Sequence, residues 1–152
     1  MRSIMKKFVS IRVPVPVPLL VVVIIALLAG VILKCTAGTK PFRDFSASDI
    51  AVAALEVKET GAGTSINQDE IRELEGLLHK VTIYEEAELD KEFYEKAVNF
   101  EIWKSDDSGV GVVTRIRSNP PYIEINGQGY RAKKGPCEKL NDFGYRLTEP
   151  AE

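Results

Sequence analysis

The longest apolar run in the chain is VPVPVPLLVVVIIALLAGVIL, residues 13–33, with no charged or polar side chain. As one helix it would be about 31 Å long, the thickness of a bilayer's hydrocarbon core. Pro14, Pro16 and Pro18 interrupt that reading, because each pushes the residue before it towards extended geometry. The helix is therefore expected to begin near Pro18, since proline is tolerated in a first turn. From there to Leu33 about 24 Å remain, short for a span and also suited to the apolar part of a secretory signal. The segment 13–34 is read as a transmembrane anchor that meets the bilayer through residues 18–33. The alternative is a signal cut after Cys35-Thr36-Ala37. Lipid attachment at Cys35 fits least, because the charged Lys34 directly precedes it. A soluble core helix fails because nothing along the run can face water.

The pattern changes after residue 34. Residues 35–49 form a Gly/Pro/Ser-marked linker whose Phe42 and Phe45 are expected to dock on a domain covering 50–148, with 149–152 as a tail. Ile50–Lys58 alternates as a strand, and Thr60–Ser65 (TGAGTS) reads as a loop. Asn67–Lys80 carries the helical period through Ile71, Leu74, Leu77, Leu78 and Val81. Asn67 is its cap and Glu70 completes a capping box. A strand follows at Val81–Glu85, then an acidic stretch, Glu85–Lys96. Val98–Lys104 and Val110–Arg117 flank the turn-forming run 105–109, and Tyr122–Asn126 and Tyr130–Lys133 flank Gly127-Gln128-Gly129, giving two hairpins. Pro136 opens a closing helix through Leu147. The fold class expected is α+β: an N-terminal transmembrane helix, then one domain with an antiparallel sheet and two helices packed on one face.

Charge sharpens this picture. Residues 1–38 carry five basic side chains and no acid, whereas residues 39–152 carry 15 basic and 22 acidic ones, a net charge of −7. No basic stripe large enough to displace counterions is evident, so nucleic acid is excluded as a partner. The 114 residues after position 38 suffice for one core and are too few for two domains. Arg2, Lys6, Lys7 and Arg12 mark residues 1–12 as a cytoplasmic tail, which places the domain outside the cell, in the membrane if the anchor is retained and secreted if it is cleaved.

Catalytic chemistry is sparse. His79 is the only histidine and falls in a last helical turn, where positive charge suits the helix end. One histidine and two distant cysteines cannot supply a zinc site, and no cofactor is implied. Cys137 reads as a buried small hydrophobe; a disulfide with Cys35 or a free reactive thiol are the other options. Glu85, Glu86, Glu88, Asp90, Glu92 and Glu95 read as a solvated face, and Asp106-Asp107-Ser108-Gly109 as turn chemistry without alternating calcium ligands. The period-2 pattern does single out one surface. If Val98, Phe100, Ile102, Ile116, Ile123 and Ile125 face the core, then Trp103, Tyr122, Arg115, Arg117, Glu101 and Glu124 share the opposite face. Aromatic residues and arginine are enriched at protein-binding surfaces, though ordinary cross-strand pairs would look the same in sequence.

The segments PFRDFSASDI (41–50) and GYRAKKGPCEKLNDF (129–143), with IRELEGLLHKVTIYEE (71–86) between them, resemble a group of small, uncharacterised, membrane-anchored extracytoplasmic proteins of Gram-positive, clostridia-like bacteria. Similar domains form the outer C-terminal portion of some β-lactam-sensor-type membrane metallopeptidases. The resemblance spans roughly residues 40–147 and implies sensing or partner binding. It transfers no catalytic residue, and no H-E-x-x-H motif is present. The function expected is a non-enzymatic, membrane-anchored binding or sensing module for a protein or envelope ligand. The alternatives are a secreted small enzyme or enzyme inhibitor released by signal cleavage, and a structural envelope protein.

Overall fold

The computed structural model describes residues 21–29, 37–105, 109 and 111–150. Two compact units divide the chain at Thr36/Ala37. In the first, residues 21–29 are helical (α1) with exposed side chains. Among the described residues no helix is long and apolar enough to cross a membrane. The basic tail 1–12, most of the 13–34 segment and Cys35 lie outside the described residues, as do 106–108 of the turn at 105–109.

The second unit is α+β, built on one seven-stranded antiparallel sheet. Its strands are β1 (Ile50–Val57), β2 (Ala62–Ile66), β3 (Ile83–Glu86), β4 (Val98–Lys104), β5 (Val112–Asn119), β6 (Tyr122–Ile125) and β7 (Gln128–Ala132), arranged in the order β2-β1-β4-β5-β6-β7-β3. The helices are α2 (Gln68–Leu78), α3 (Lys91–Lys96) and α4 (Lys134–Thr148). Alternation decides the layers. Leu55, Val57, Val98, Phe100, Ile102, Ile116 and Ile123 turn one sheet face into the core, where they meet Ile71, Leu74 and Leu78 of α2 and Cys137, Leu140 and Phe143 of α4. Phe100 and Phe143 stack with ring centroids 6.3 Å apart.

Local chemistry explains the helix and turn positions. The Asn67 side chain accepts from the Asp69 and Glu70 backbone N–H groups, and the Glu70 carboxylate accepts from Asn67 N at 2.8 Å, so the capping box is complete. Asn126 and Gly127 both have positive φ, 50° and 90°, which is the two-residue turn whose twist suits a hairpin. The β6–β7 turn is therefore Asn126-Gly127, tighter than the Gly127–Gly129 loop expected.

Five further expectations are corrected. The run Thr60–Ser65 is largely strand: its small residues carry no hydrophobic signal, but β1 offers a free ladder and Ala62–Ile66 pairs along it as an edge. Strand β5 begins two residues later and runs to Asn119, because its register with β4 pairs Val98 with Ser118. The closing helix starts at Lys134, before Pro136. The acidic stretch contains α3, capped by Asp90, whose carboxylate accepts from Phe93 N at 2.8 Å. Its helix signal is one buried residue, Phe93, too little to show as a period. From Ala37 onward the stretch read as a linker belongs to the domain: Thr39 bridges to Ile83, and Phe42, Phe45 and Ala47 are buried in the core.

Candidate functional site

Because α2 and α4 cover one face of the sheet, the opposite face is the place to look for a site. Register brings the six residues singled out in the sequence onto it. Glu101 pairs with Arg115 and Trp103 with Val113 across β4–β5, and Arg117 pairs with Glu124 across β5–β6. Tyr122 lies on β6 with Glu124, opposite Arg131 of β7.

A strap crosses part of this face. Residues 87–96 leave β3, run over β7 and end in α3. Gly129 marks the crossing: an added Cβ would sit 2.7 Å from Leu89 Cγ, so only glycine lets the strap lie this close. Phe93 is buried, 3% exposed, yet is not part of the main core cluster. Next to it, Tyr94 donates its hydroxyl proton to Glu124 Oε2 at 2.8 Å, and Arg117 donates to Glu124 Oε1 at 2.5 Å. The Arg117 guanidinium also lies over the Tyr94 ring, 5.6 Å from its centroid. Both oxygens of a carboxylate that is nearly inaccessible are thus satisfied, as a buried charge requires. The hydrogen bond to Glu124, with some burial, raises the Tyr94 phenol above its usual range.

The six residues therefore divide. Glu124 is a support beneath the strap, with Arg117 and Tyr94 locked to it. Glu101 and Arg115 form a solvent-facing pair at 3.2 Å, of a kind worth about 0.2–1 kcal/mol. Trp103 is half-buried between Val52 and Val113 on the flanking strands. Tyr122 is exposed.

Two further residues belong to the face. Val52, opposite Trp103 on β1, is 54% exposed, and Tyr94 is exposed on the strap. Among the described residues of the domain, the exposed large hydrophobic side chains are Val52, Tyr94 and Tyr122, and all three lie on this side of the sheet. Val52 was legible from the parity of β1. Tyr94 was not, because nothing local announces that its segment crosses the sheet.

The other candidates have structural surroundings. His79 caps the C-terminal end of α2, and its Nε2 lies 2.8 Å from the Phe45 carbonyl, tying the first turn of the domain to the helix. Cys137 is a fully buried free thiol whose pKa is pushed up to about 11 by burial, the opposite of what a nucleophilic thiolate needs. The acids between Glu85 and Glu95 are exposed, and several are paired with lysine or arginine. Among the described residues no group of three or more His, Cys, Asp or Glu is placed to hold a metal ion. Compared with family models, curated proteins and solved structures, the chain matches none.

Proposed function

We propose that this chain is a membrane-anchored, extracytoplasmic binding module. Its N-terminal apolar segment would hold it in the membrane, and the open face of its sheet would take a protein partner. One observation carries the binding part: among the described residues of the domain, the exposed large hydrophobic side chains Val52, Tyr94 and Tyr122 all lie on one side of the sheet, the side that also carries the half-exposed Trp103 and the Glu101–Arg115 pair. Apolar and aromatic anchors rimmed by charge are the composition of a protein-binding patch. The strap supports this reading by fixing one side of the patch through the Tyr94–Glu124–Arg117 network.

The test is photo-crosslinking in intact cells, with a photoreactive residue placed at Val52 on the open face or at Arg72 on the exposed side of α2. The proposal predicts a discrete adduct from position 52, none from position 72, and loss of that adduct on Trp103→Ala without a change in cooperative unfolding. Equal adducts from both positions, or an adduct indifferent to Trp103, would contradict it.

A further inference from the structure

Fifteen lysines and arginines lie in residues 39–152, and the structure sorts them into two groups. Nine are in ion pairs with carboxylates, spread over the domain from Lys58 just after β1 to Arg146 on α4. Of the six that pair with no described residue, Lys104 lies over the Phe45 ring, 5.3 Å from its centroid. The remaining five are Lys40, Arg43, Lys80, Lys133 and Lys139, all exposed. They line two adjoining depressions that share Lys40. The second is an open groove of about 400 Å³, and no described Asp or Glu lines either one.

The backbone builds this convergence. Thr39 exchanges hydrogen bonds with Ile83 at 2.7 and 2.8 Å, which seats Lys40 beside β3. Lys133 N donates to the Thr82 carbonyl at 2.8 Å, drawing the start of α4 to the same edge. Helix α4 begins there with no side-chain cap and no acid in its first turn, so the positive end of its dipole adds to the lysines. In a domain of net charge −7, this acid-free concentration of cations is the part of the surface with most attraction for an anionic one.

Chain length says which surface can. Lys40 follows Leu33, the last residue of the apolar run, by seven positions, a reach of at most about 25 Å. We propose that this basic face docks on the anionic phospholipid headgroups of the membrane that holds the N-terminal segment, fixing which side of the domain is turned away from the bilayer. The inference rests on the anchoring part of the proposed function. Attraction of clustered lysines to anionic lipid is additive per residue and decays within a Debye length.

The experiment reconstitutes the full chain into vesicles of phosphatidylcholine alone or mixed with phosphatidylglycerol. It reads flotation, and lysine acylation rates by mass spectrometry. With phosphatidylglycerol, Lys40, Lys80, Lys133 and Lys139 should react about fivefold more slowly, the factor one lysine–headgroup contact is worth, while Lys58 and Lys91 are unchanged. High salt should abolish the protection. The double variant Lys80→Glu/Lys133→Glu should restore full reactivity to Lys40 and Lys139 in the same vesicles. If the chain floats with both vesicles but the groove lysines react equally, docking is overturned while anchoring stands. Flotation with neither vesicle overturns both. Flotation only with phosphatidylglycerol, reversed by salt, supports docking and removes anchoring. Equal protection by inorganic phosphate with phosphatidylcholine vesicles overturns the lipid assignment in favour of a free anion.

Discussion

Two glycines test the packing of the domain by taking the same substitution in opposite directions. Gly76 lies inside α2 with nothing within 4 Å of an added Cβ. There, alanine should contribute only its helix propensity, about 1 kcal/mol. Gly144 lies inside α4 and is buried against β4. A Cβ on it would come closer than 3.0 Å to Val98 Cγ1, with Val98 Cγ2 and Cβ at 3.4 and 3.5 Å. Val98 is fully buried and paired with Val57 and Ser118 on its neighbouring strands. Being β-branched, it cannot swing one methyl aside without driving the other into those neighbours. Overpacking of this kind costs about 1–3 kcal/mol, which meets or exceeds the propensity gain. The two variants should therefore differ by about 1–3 kcal/mol, and for a domain of this size each kcal/mol moves Tm by about 4 °C. Thermal unfolding of the full chain in mild detergent, followed by near-UV circular dichroism, is the assay. Gly76→Ala should raise Tm and Gly144→Ala should leave it unchanged or lower it, with Val98→Ala relieving part of the strain in the second. Equal shifts would refute the seating of α4 on β4.

The remaining predictions concern ionisable groups. Burial raises the folded Cys137 thiol from 9.0 to about 11, so the unfolded thiol ionises first. Its contribution to stability is complete below pH 9 and is lost as pH rises towards 11. Denaturation midpoints should fall more steeply across that window in the native chain than in Cys137→Ala, and parallel curves would contradict the burial. The hydrogen bond to Glu124 is the main cause of the raised Tyr94 phenol, so Glu124→Gln should bring one tyrosine back towards the usual range in a phenolate absorbance titration. An unchanged titration would mean that the strap is not fastened there.

Much of this domain was legible because its two periods are clean. Alternation in Val98–Lys104 and Tyr122–Ile125 assigned both sheet faces, and with them the grouping of Trp103, Glu101, Arg115, Arg117, Tyr122 and Glu124. The Asn67–Glu70 capping box located the start of α2 to within a residue. What escaped depends on non-local terms. Strand β2 exists because β1 has a free edge, not because Ala-Gly-Thr-Ser-Ile favours extension. Helix α3 is held by one buried aromatic and a capping aspartate, and it matters because it lies across the sheet, which no local pattern encodes. Burial of Glu124 follows from that crossing. Alternation placed this carboxylate correctly on the open face, but only the overlying Tyr94 makes it a support instead of a contact. The unpaired lysines were invisible for the same reason: Lys40, Lys80, Lys133 and Lys139 are scattered in sequence, and counting charges cannot show which ones already have partners.

Anchoring with the domain outside the cell is the central claim, and localisation tests it most directly. A C-terminally tagged chain would be expressed in a Gram-positive host, separated into medium, cytosol and membrane, and treated with protease on intact cells. The account predicts a full-length tag in the membrane fraction that external protease removes. A tag in the medium on a chain shortened at its N-terminus would contradict anchoring. A membrane-bound tag that is digested only after lysis would contradict the orientation.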